Sequence, residues 1–389
     1  MLTIVKLRDA EYVLGKIARG LDEYYTSARE APGVWAGRWS SELGLSGVVE
    51  GDHLRALVRG VDPASGTDLL AGNPPRKVNA FDVTLSAPKS VSLLQALSTP
   101  EVAAAVSTAH TEALSVALDV LERHAALTRR QTDGVRRVVP TGGLSIATFA
   151  HRTSRAGDPQ LHSHCVVANM VRRDDLRYVA LDASYLYDWG KAVGSIYQEE
   201  LRRRLTESLD VAWGEDRNGC REMLGFSDEQ LRAFSKRTSE IESWIEAHGS
   251  TAPETPAEKR AAADAAALAT RAQKDPSLTP EVLTARWRTE AQSLGVPTGE
   301  ALVERVCHRA ATNAPPSGEV VFAELLDPER GLCARRSRFG EAQVTAAIAA
   351  TGAGTLSVSR IEELTAEFLG SRHVVRLAPP LEVAGRRPA

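Results

Sequence analysis

The sequence predicts an α/β protein: an antiparallel β-sheet backed by helices, then a largely helical segment, then a small C-terminal module. Three observations predict it. Residues 80–86 (Ala-Phe-Asp-Val-Thr-Leu-Ser) alternate strictly, with Phe81, Val83 and Leu85 on one face and Asp82, Thr84 and Ser86 on the other. Strand-like runs at 135–140, 145–151 and 162–171 follow one another, and the turn signal Gly157-Asp158-Pro159 between the last two suits an antiparallel return. Longer stretches, at 101–125, 184–206 and about 227–293, are helical in pattern.

Taken in order, residues 2–7 read as a short strand and a helical stretch follows to Tyr25. Residues 30–75 are rich in Gly, Ser and Pro and read mostly as loops. After the strand at 80–86, Ala87-Pro88-Lys89-Ser90-Val91 starts a helix with Pro in its first turn. Residues 177–182 add a short strand, and the helix at 184–206 carries Trp189, Tyr197 and Arg202-Arg203-Arg204, the last three reading as a solvated face. Residues 312–318 read as a linker. Beyond it come helices at about 338–351 and 357–370 and a strand at His373-Val374-Val375-Arg376-Leu377, a winged-helix-like pattern, with a disordered tail from Ala378. The divisions fall at 1–225, 226–311 and 312–389.

Composition bounds the function. The 389 residues carry 47 Lys plus Arg against 50 Asp plus Glu, a net charge of −3. At ~150 residues per domain this is two to three domains. With 43% hydrophobic and 25% charged residues the chain is globular, not a cationic coat protein, collagen-like chain or acidic tail. Charge is unevenly placed: residues 123–173 hold nine Arg and two acids, an excess of +7. Four cysteines without a CxxC pair make neither a disulfide framework nor a cysteine zinc site. No leader-like apolar segment opens the chain and no apolar run approaches ~18 residues, so we expect a reduced cytoplasmic protein without membrane insertion.

The chemistry concentrates in three histidines. His162 and His164, at i and i+2, share a strand face. An antiparallel return brings His151 beside them. Three imidazoles with open positions left over suit a catalytic divalent metal, and ligand softness leaves Mg, Mn, Zn and Ni open. A single His-x-His arises by chance in roughly one such chain in five, so the third histidine carries the argument. Far upstream lies Tyr24-Tyr25. Adjacent tyrosines at a helix end commonly pack; in a functional role they are nucleophiles, and a phenol of pKa ~10 then needs a metal-bound phosphate or a base. Asp82, on the polar strand face, is a candidate to orient a ligand histidine or take the phenolic proton.

These residues resemble the MobF-family conjugative relaxases, which belong to the HUH endonucleases. Asp22-Glu23-Tyr24-Tyr25, Gly33-Val34-Trp35-Ala36-Gly37, Glu42-Leu43-Gly44-Leu45-Ser46-Gly47 and the run Phe81 to Ser92 resemble the start of that family. The strongest match is His151-Arg152-Thr153-Ser154-Arg155 followed by Asp158-Pro159-Gln160-Leu161-His162-Ser163-His164 and Asn169, with Ser163 where the archetype has an apolar residue. Phe234-Ser235-Lys236-Arg237 and Leu268-Ala269-Thr270-Arg271 resemble later family motifs. The resemblance covers about residues 1–295. Residues 320–377 resemble the segment joining relaxase to helicase in large members. No GxxxxGK[ST] sequence occurs, so the chain reads as a relaxase fragment or a short form.

The resemblance implies the HUH relaxase fold, with a catalytic core (1–225), a helical DNA-clamping segment (226–311) and the C-terminal module. It implies a metal-dependent nickase and strand transferase that leaves a 5′-phosphotyrosyl DNA at an origin of transfer. Residue by residue, His151, His162 and His164 fall on the metal ligands, Asp82 on the assisting acid and Tyr24 and Tyr25 on a catalytic-type tyrosine pair. The best-known members carry two tyrosine pairs; this chain has one pair plus Tyr12, and Tyr24 is the favoured nucleophile. Partners implied are the single-stranded or hairpin DNA of the origin, with relaxosome accessory and coupling proteins. Lys89, Arg152, Arg155, Lys236, Arg237 and Arg271, with Lys274, are candidate DNA contacts, and Trp35, Trp189 and Phe234 candidate base-stacking residues. Competing readings are a rolling-circle replication initiator, a small-molecule hydrolase or oxygenase using the histidines, and a non-catalytic DNA-binding domain.

Overall fold

The structure, a computed structural model, describes residues 2–8, 32–217, 219–248, 255–270, 279–309, 314–334 and 337–377. Its strands are β1 (Leu2–Leu7), β2 (Val34–Ala36), β3 (Ala80–Ser86), β4 (Leu127–Thr132), β5 (Val135–Pro140), β6 (Ile146–Thr153), β7 (Pro159–Ala168), β8 (Val171–Arg172) and β9 (Tyr178–Val179). In the first half the helices are α1 (Arg38–Glu42), α2 (Gly51–Arg59), α3 (Lys89–Leu97), α4 (Pro100–Ala125) and α5 (Ser184–Leu209). After them come α6 (Asp228–Ala233), α7 (Lys236–His248), α8 (Pro256–Ala269), α9 (Pro280–Ser293), α10 (Glu300–Val306), α11 (Gly318–Leu325), α12 (Glu341–Thr351) and α13 (Val358–Gly370).

Five strands form one antiparallel sheet in the order β1-β3-β7-β6-β2. The two-residue alternation of β3 decides its faces. Phe81, Val83 and Leu85 turn to the back, where Cys165 and Val167 of β7 join them against α3, α4 and α5 in the main core. The front face has a smaller core, in which Trp35, Ala80, Ala147, Phe149, Val166 and Ala168 pack against Trp39 of α1 and Leu54, Leu57 and Val58 of α2. That core covers one end of the front face. The histidines lie at the other end, where β7 carries His162 and His164.

Helix ends follow their local chemistry. Thr99 precedes α4, accepts from Val102 N–H, and is followed by Pro100; Ser227 and Gln230 form a reciprocal capping box at α6. The β4–β5 ribbon turns through Asp133 and Gly134, both at positive φ (52° and 78°), as a two-residue type I′ turn requires.

Expectation and structure agree on the strands at 2–7 and 80–86 and on the long helices at 101–125 and 184–206. The strands expected at 135–140, 145–151 and 162–171 also form, as β5, β6 and β7, the last two with shifted ends. Other expectations are corrected. Residues 30–75 contain β2, α1 and α2; the spacing of Leu54, Leu57 and Val58 is the helical signal there. No strand forms at 373–377 among the described residues, so no wing is built. Instead α12 and α13 bury Val344, Ile348, Ile361, Leu364 and Phe368 in the main core. Arg202 is not a solvated residue. It is 1% exposed and bonds Glu199 (0% exposed), whose carboxylate also accepts from the N–H groups of Gly354, Thr355 and Leu356. Arg203 pairs with Glu200 and Glu207, and Arg204 with Glu200 and Glu112. The helix expected up to Tyr25 and the tail from Ala378 lie outside the described residues.

Candidate metal centre and nucleic-acid interface

Strand pairing assembles the histidines. His151 of β6 faces His162 of β7, and Thr84 of β3 faces His164. Antiparallel partners share a face, so all three imidazoles project forward beside Asp82 and Thr84. Ring centroids stand 5.1–5.3 Å apart, and one ligand atom from each ring lies within 4.8 Å of the others. All three are half-buried.

Two of the rings are oriented by acceptors. His164 Nδ1 lies 2.8 and 3.0 Å from the Asp82 carboxylate oxygens, and His162 Nδ1 lies 2.9 Å from the Gln160 carbonyl. A carbonyl or carboxylate oxygen accepts, so Nδ1 carries the proton in both rings and Nε2 is left with its lone pair for an ion. Thr84 Oγ1 steadies Asp82 at 3.2 Å. Asp82 is itself only 7% exposed. One imidazole nitrogen from each ring at this spacing would fit one divalent cation of borderline softness and leave coordination positions for oxygen ligands.

Behind the site, Ser163 points the other way. Its Oγ lies 2.7 Å from His110 Nε2, and His110 Nδ1 lies 2.7 Å from the Tyr197 hydroxyl. Burial pushes His110 down to about 3, so it is neutral. Cys165 also faces back and is fully buried, as its position next to His164 predicts.

The turn between β6 and β7 is gripped from outside the sheet. Gly157, at φ 76°, supplies the left-handed residue, and Ser154 N–H donates to Asp158 O at 2.8 Å. The Asp158 carboxylate accepts from Lys236 N–H at 2.8 Å and Lys236 Nζ at 3.1 Å. Burial raises Asp158 against the pull of Lys236 and Lys89. Lys236 Nζ also donates to Glu290 of α9 at 2.7 Å, and the Trp287 indole N–H donates to Gly157 O at 2.7 Å.

The expected DNA contacts divide. Arg152 and Arg155 are exposed next to the histidines. Lys89 is held inside the protein: Nζ donates to Pro159 O at 2.7 Å, and burial lowers the amine to about 8. At the start of α3 the Glu222 carboxylate accepts from Lys89 N–H, Ser90 N–H and Ser90 Oγ. Arg237 bonds Glu240, the Thr270 carbonyl and hydroxyl, and the Ala267 carbonyl. The proposed stacking residues are core residues. Trp35 and Trp189 are each 8% exposed, Phe234 is fully buried, and Trp189 stacks on His124 at 3.5 Å. Asn169 is likewise structural, donating to Val78 O and accepting from Leu181 N–H. Tyr12, Tyr24, Tyr25, Arg271 and Lys274 lie outside the described residues.

The sequence reading did not single out the ribbon. Arg129 is paired in two-fold fashion with Asp182 at 2.7 and 2.8 Å, and Arg130 meets Asp174. Arg136 and Arg137 on β5 are exposed, and their side chains make no hydrogen bond or ion pair to other described residues. The dipeptide Asp133-Gly134, a strong hairpin signal, was the clue to this basic ribbon.

Comparison with known proteins matches this geometry. The family model described as TrwC relaxase matches residues 7–294. A multifunctional conjugation protein TraI of Escherichia coli strain K12 is 31% identical over 361 residues, 89% of this chain and 19% of TraI; a second E. coli TraI is 34% identical over 272 residues. The chain thus spans about a fifth of the length of the curated relative with the longer match, and less of the other. A copper-bound conjugative relaxase TrwC in complex with OriT DNA superposes with TM-score 0.64 at 31% identity, covering 76% of this chain and 99% of that one. TrwC with a 27-mer DNA comprising the recognition hairpin and cleavage site gives TM-score 0.62 at 30% identity, with the same coverage. The antiparallel sheet and its flanking helices are therefore those of a known fold, and the chain belongs to the TrwC relaxase family.

Proposed function

We propose that this chain is a conjugative DNA relaxase that nicks one strand at an origin of transfer and keeps the 5′ end as a phosphotyrosyl link. The observation that carries the reading is the convergence of His151, His162 and His164, with Asp82 holding His164, in a member of this family. His151, His162 and His164 would hold one divalent ion, which when bound polarises the scissile phosphate. The chain's own groups do the rest. The Asp82 carboxylate and the Gln160 carbonyl keep two Nε2 atoms directed outward. The Tyr24 phenol, or Tyr25, gives its proton to solvent water and attacks phosphorus; the Tyr O–P bond forms, the P–O3′ bond breaks, and the departing 3′ oxygen takes a proton from water to become a hydroxyl. One phosphodiester replaces another, which makes the step reversible and suits rejoining.

DNA contacts follow the exposed cations. Arg152 and Arg155 face phosphates near the scissile bond, and Arg136 and Arg137 face a neighbouring part of the origin hairpin. Arg271 keeps the contact that the family motif implies. Lys89, Lys236 and Arg237 act by bracing the protein around the strand. Residues 1–225 form the catalytic core, 226–311 close over DNA, and the C-terminal helices pack on α5. Relaxosome accessory and coupling proteins are the expected partners. No described helix is long and apolar enough to cross a membrane; the proposed reaction on an origin of transfer would take place in the cytoplasm.

The test is incubation with supercoiled or oligonucleotide origins and Mg²⁺ or Mn²⁺, read as a covalent protein–DNA adduct. Tyr24→Phe with Tyr25→Phe abolishes it. An undiminished adduct in that double variant defeats the tyrosine assignment; no adduct with any origin or metal defeats the reaction itself.

A further inference from the structure

We infer that Lys236 and Trp287 of the helical segment are positioning residues for the metal centre, bracing the Gly157–Asp158 turn so that the ligand strands keep their register. The inference rests on the reading of His151, His162 and His164 as metal ligands. It goes beyond a clamp on DNA, because it gives the segment work before any strand binds.

The sheet alone leaves the ligands under-determined. The β6–β7 ladder is regular from Ile146 to His151 and then shifts register between His151 and Thr153. A bulge there loosens the pairing on the turn side of the His151–His162 pair. The missing constraint comes from outside. Asp158, four residues before His162, is 1% exposed and spends both carboxylate oxygens on Lys236. Lys236 is tied in turn to Glu290, and Trp287, one turn earlier on the same helix, holds the Gly157 carbonyl. Leu283 of α9 lies against the space beside Gly157. Helices α7 and α9 thus reach the turn by separate contacts. Lys89 at Pro159 and Gln160 at the Ala87 carbonyl hold the start of β7 on its other side. Gln160 then orients His162 through its own carbonyl. A displacement of the turn is passed through one short, buried length of chain to a ligand ring. By reciprocity, anything that draws α7 and α9 onto a bound strand changes ion affinity, and an ion changes strand affinity equally.

The experiment uses the full chain without DNA. Mn²⁺ affinity is measured by calorimetry and ligand geometry by the visible absorption of bound Co²⁺. His162→Ala comes first: if it binds Mn²⁺ as the parent does, the ligand reading fails. With that reading intact, Lys236→Met and Trp287→Phe are expected to weaken Mn²⁺ about tenfold and to alter the Co²⁺ spectrum, with Lys236→Arg restoring most of the affinity. Asp158→Asn with Lys236→Met removes the stranded buried charge but not the lost brace, and is expected to stay weak. Trp287→Phe leaves the Asp158–Lys236 pair in place, so it decides the question should Lys236→Met fail to fold. Parent-like affinity and spectrum in Trp287→Phe, or recovery in the double variant, overturns the inference.

Discussion

Ser163 and His110 are bonded at 2.7 Å across the back of the sheet, directly behind the two histidines that flank Ser163. His110 is fully buried, and its second nitrogen meets Tyr197. The serine that departs from the family archetype therefore has a dedicated partner on α4. Ser163→Val strands one side of His110, and His110→Leu strands two hydroxyls; each is expected to cost about 1–3 kcal/mol. The double variant replaces the polar pair by an apolar one and should lose at least ~1 kcal/mol less than the sum. Urea unfolding measures this, and strictly additive losses count against the pairing.

The same imidazole makes stability depend on pH. Burial holds His110 at about 3, below the ordinary ~6.5 of an unfolded chain. Between these values the unfolded state binds more protons, so this contribution to stability is full above pH 6.5 and falls as pH drops toward 3. In His110→Gln the contribution is gone. The stability gap between parent and variant should be widest near pH 7 and narrow on acidification. A gap that widens instead refutes the assignment.

Asp82 holds His164 rather than standing free as a base. Asp82→Ala releases the ring and should weaken Mn²⁺ about 10–100-fold. Asp82→Asn keeps an acceptor at the same place and should lose less. Equal affinities for parent, Asn and Ala variants in calorimetry would show that the contact does not orient the ligand.

The side chains of Arg136 and Arg137 stand on an exposed ribbon without hydrogen-bond or ion-pair partners among the described residues. Each change to Ala should weaken origin DNA and lower the slope of log affinity against log salt by about 1. Titration at several salt concentrations checks this. An unchanged slope places the ribbon away from DNA.

The Glu199–Arg202 pair joins α5 to the residues that lead into α13. Arg202→Met leaves a buried carboxylate without its cation and should cost about 3–5 kcal/mol. Hydrogen exchange should rise first at Gly354, Thr355 and Leu356, whose N–H groups bind Glu199. Uniform exchange across the chain would contradict a local joint.

The site was legible where one rule decided it. A period of two sets His162 and His164 on one face, and a turn signal returns His151 to them. It was illegible where the partner was distant in sequence. Nothing near Lys236 in the chain announces that Asp158, 78 residues away, will take its amine and its N–H. Lys89 was a candidate DNA contact from its place in a helix first turn, and Lys236 and Arg237 from a family-like motif; none of those signals announces the protein groups that each one bonds. Size and flatness made Trp35, Trp189 and Phe234 look like stacking platforms, although large aromatics are as readily core residues. Arg202 looked solvated because the acid that neutralises it is itself buried. The strand expected at 373–377 had the β-branched pair Val374-Val375 but no neighbouring strand to pair with, and propensity without a ladder makes no strand.

Sheet order also sets a leash on each tyrosine. The chain leaves the sheet at Leu7 on one edge and returns at Val34 on the other. Val34 pairs with Thr148, three residues or ~10 Å along β6 from His151. Tyr25 and Tyr24 precede Val34 by nine and ten residues, so at ~3.3 Å per residue either is tethered within ~30 Å of that point, ample for the metal centre. Tyr12 follows Leu7 by five residues, a tether of ~17 Å. Leu7 is level with Ala168, six residues along β7 from His162 and two strands across, a separation of ~22 Å. Covalent reach thus leaves the Tyr24–Tyr25 pair ample slack, whereas Tyr12 must hold its backbone extended and use the length of its own side chain to arrive.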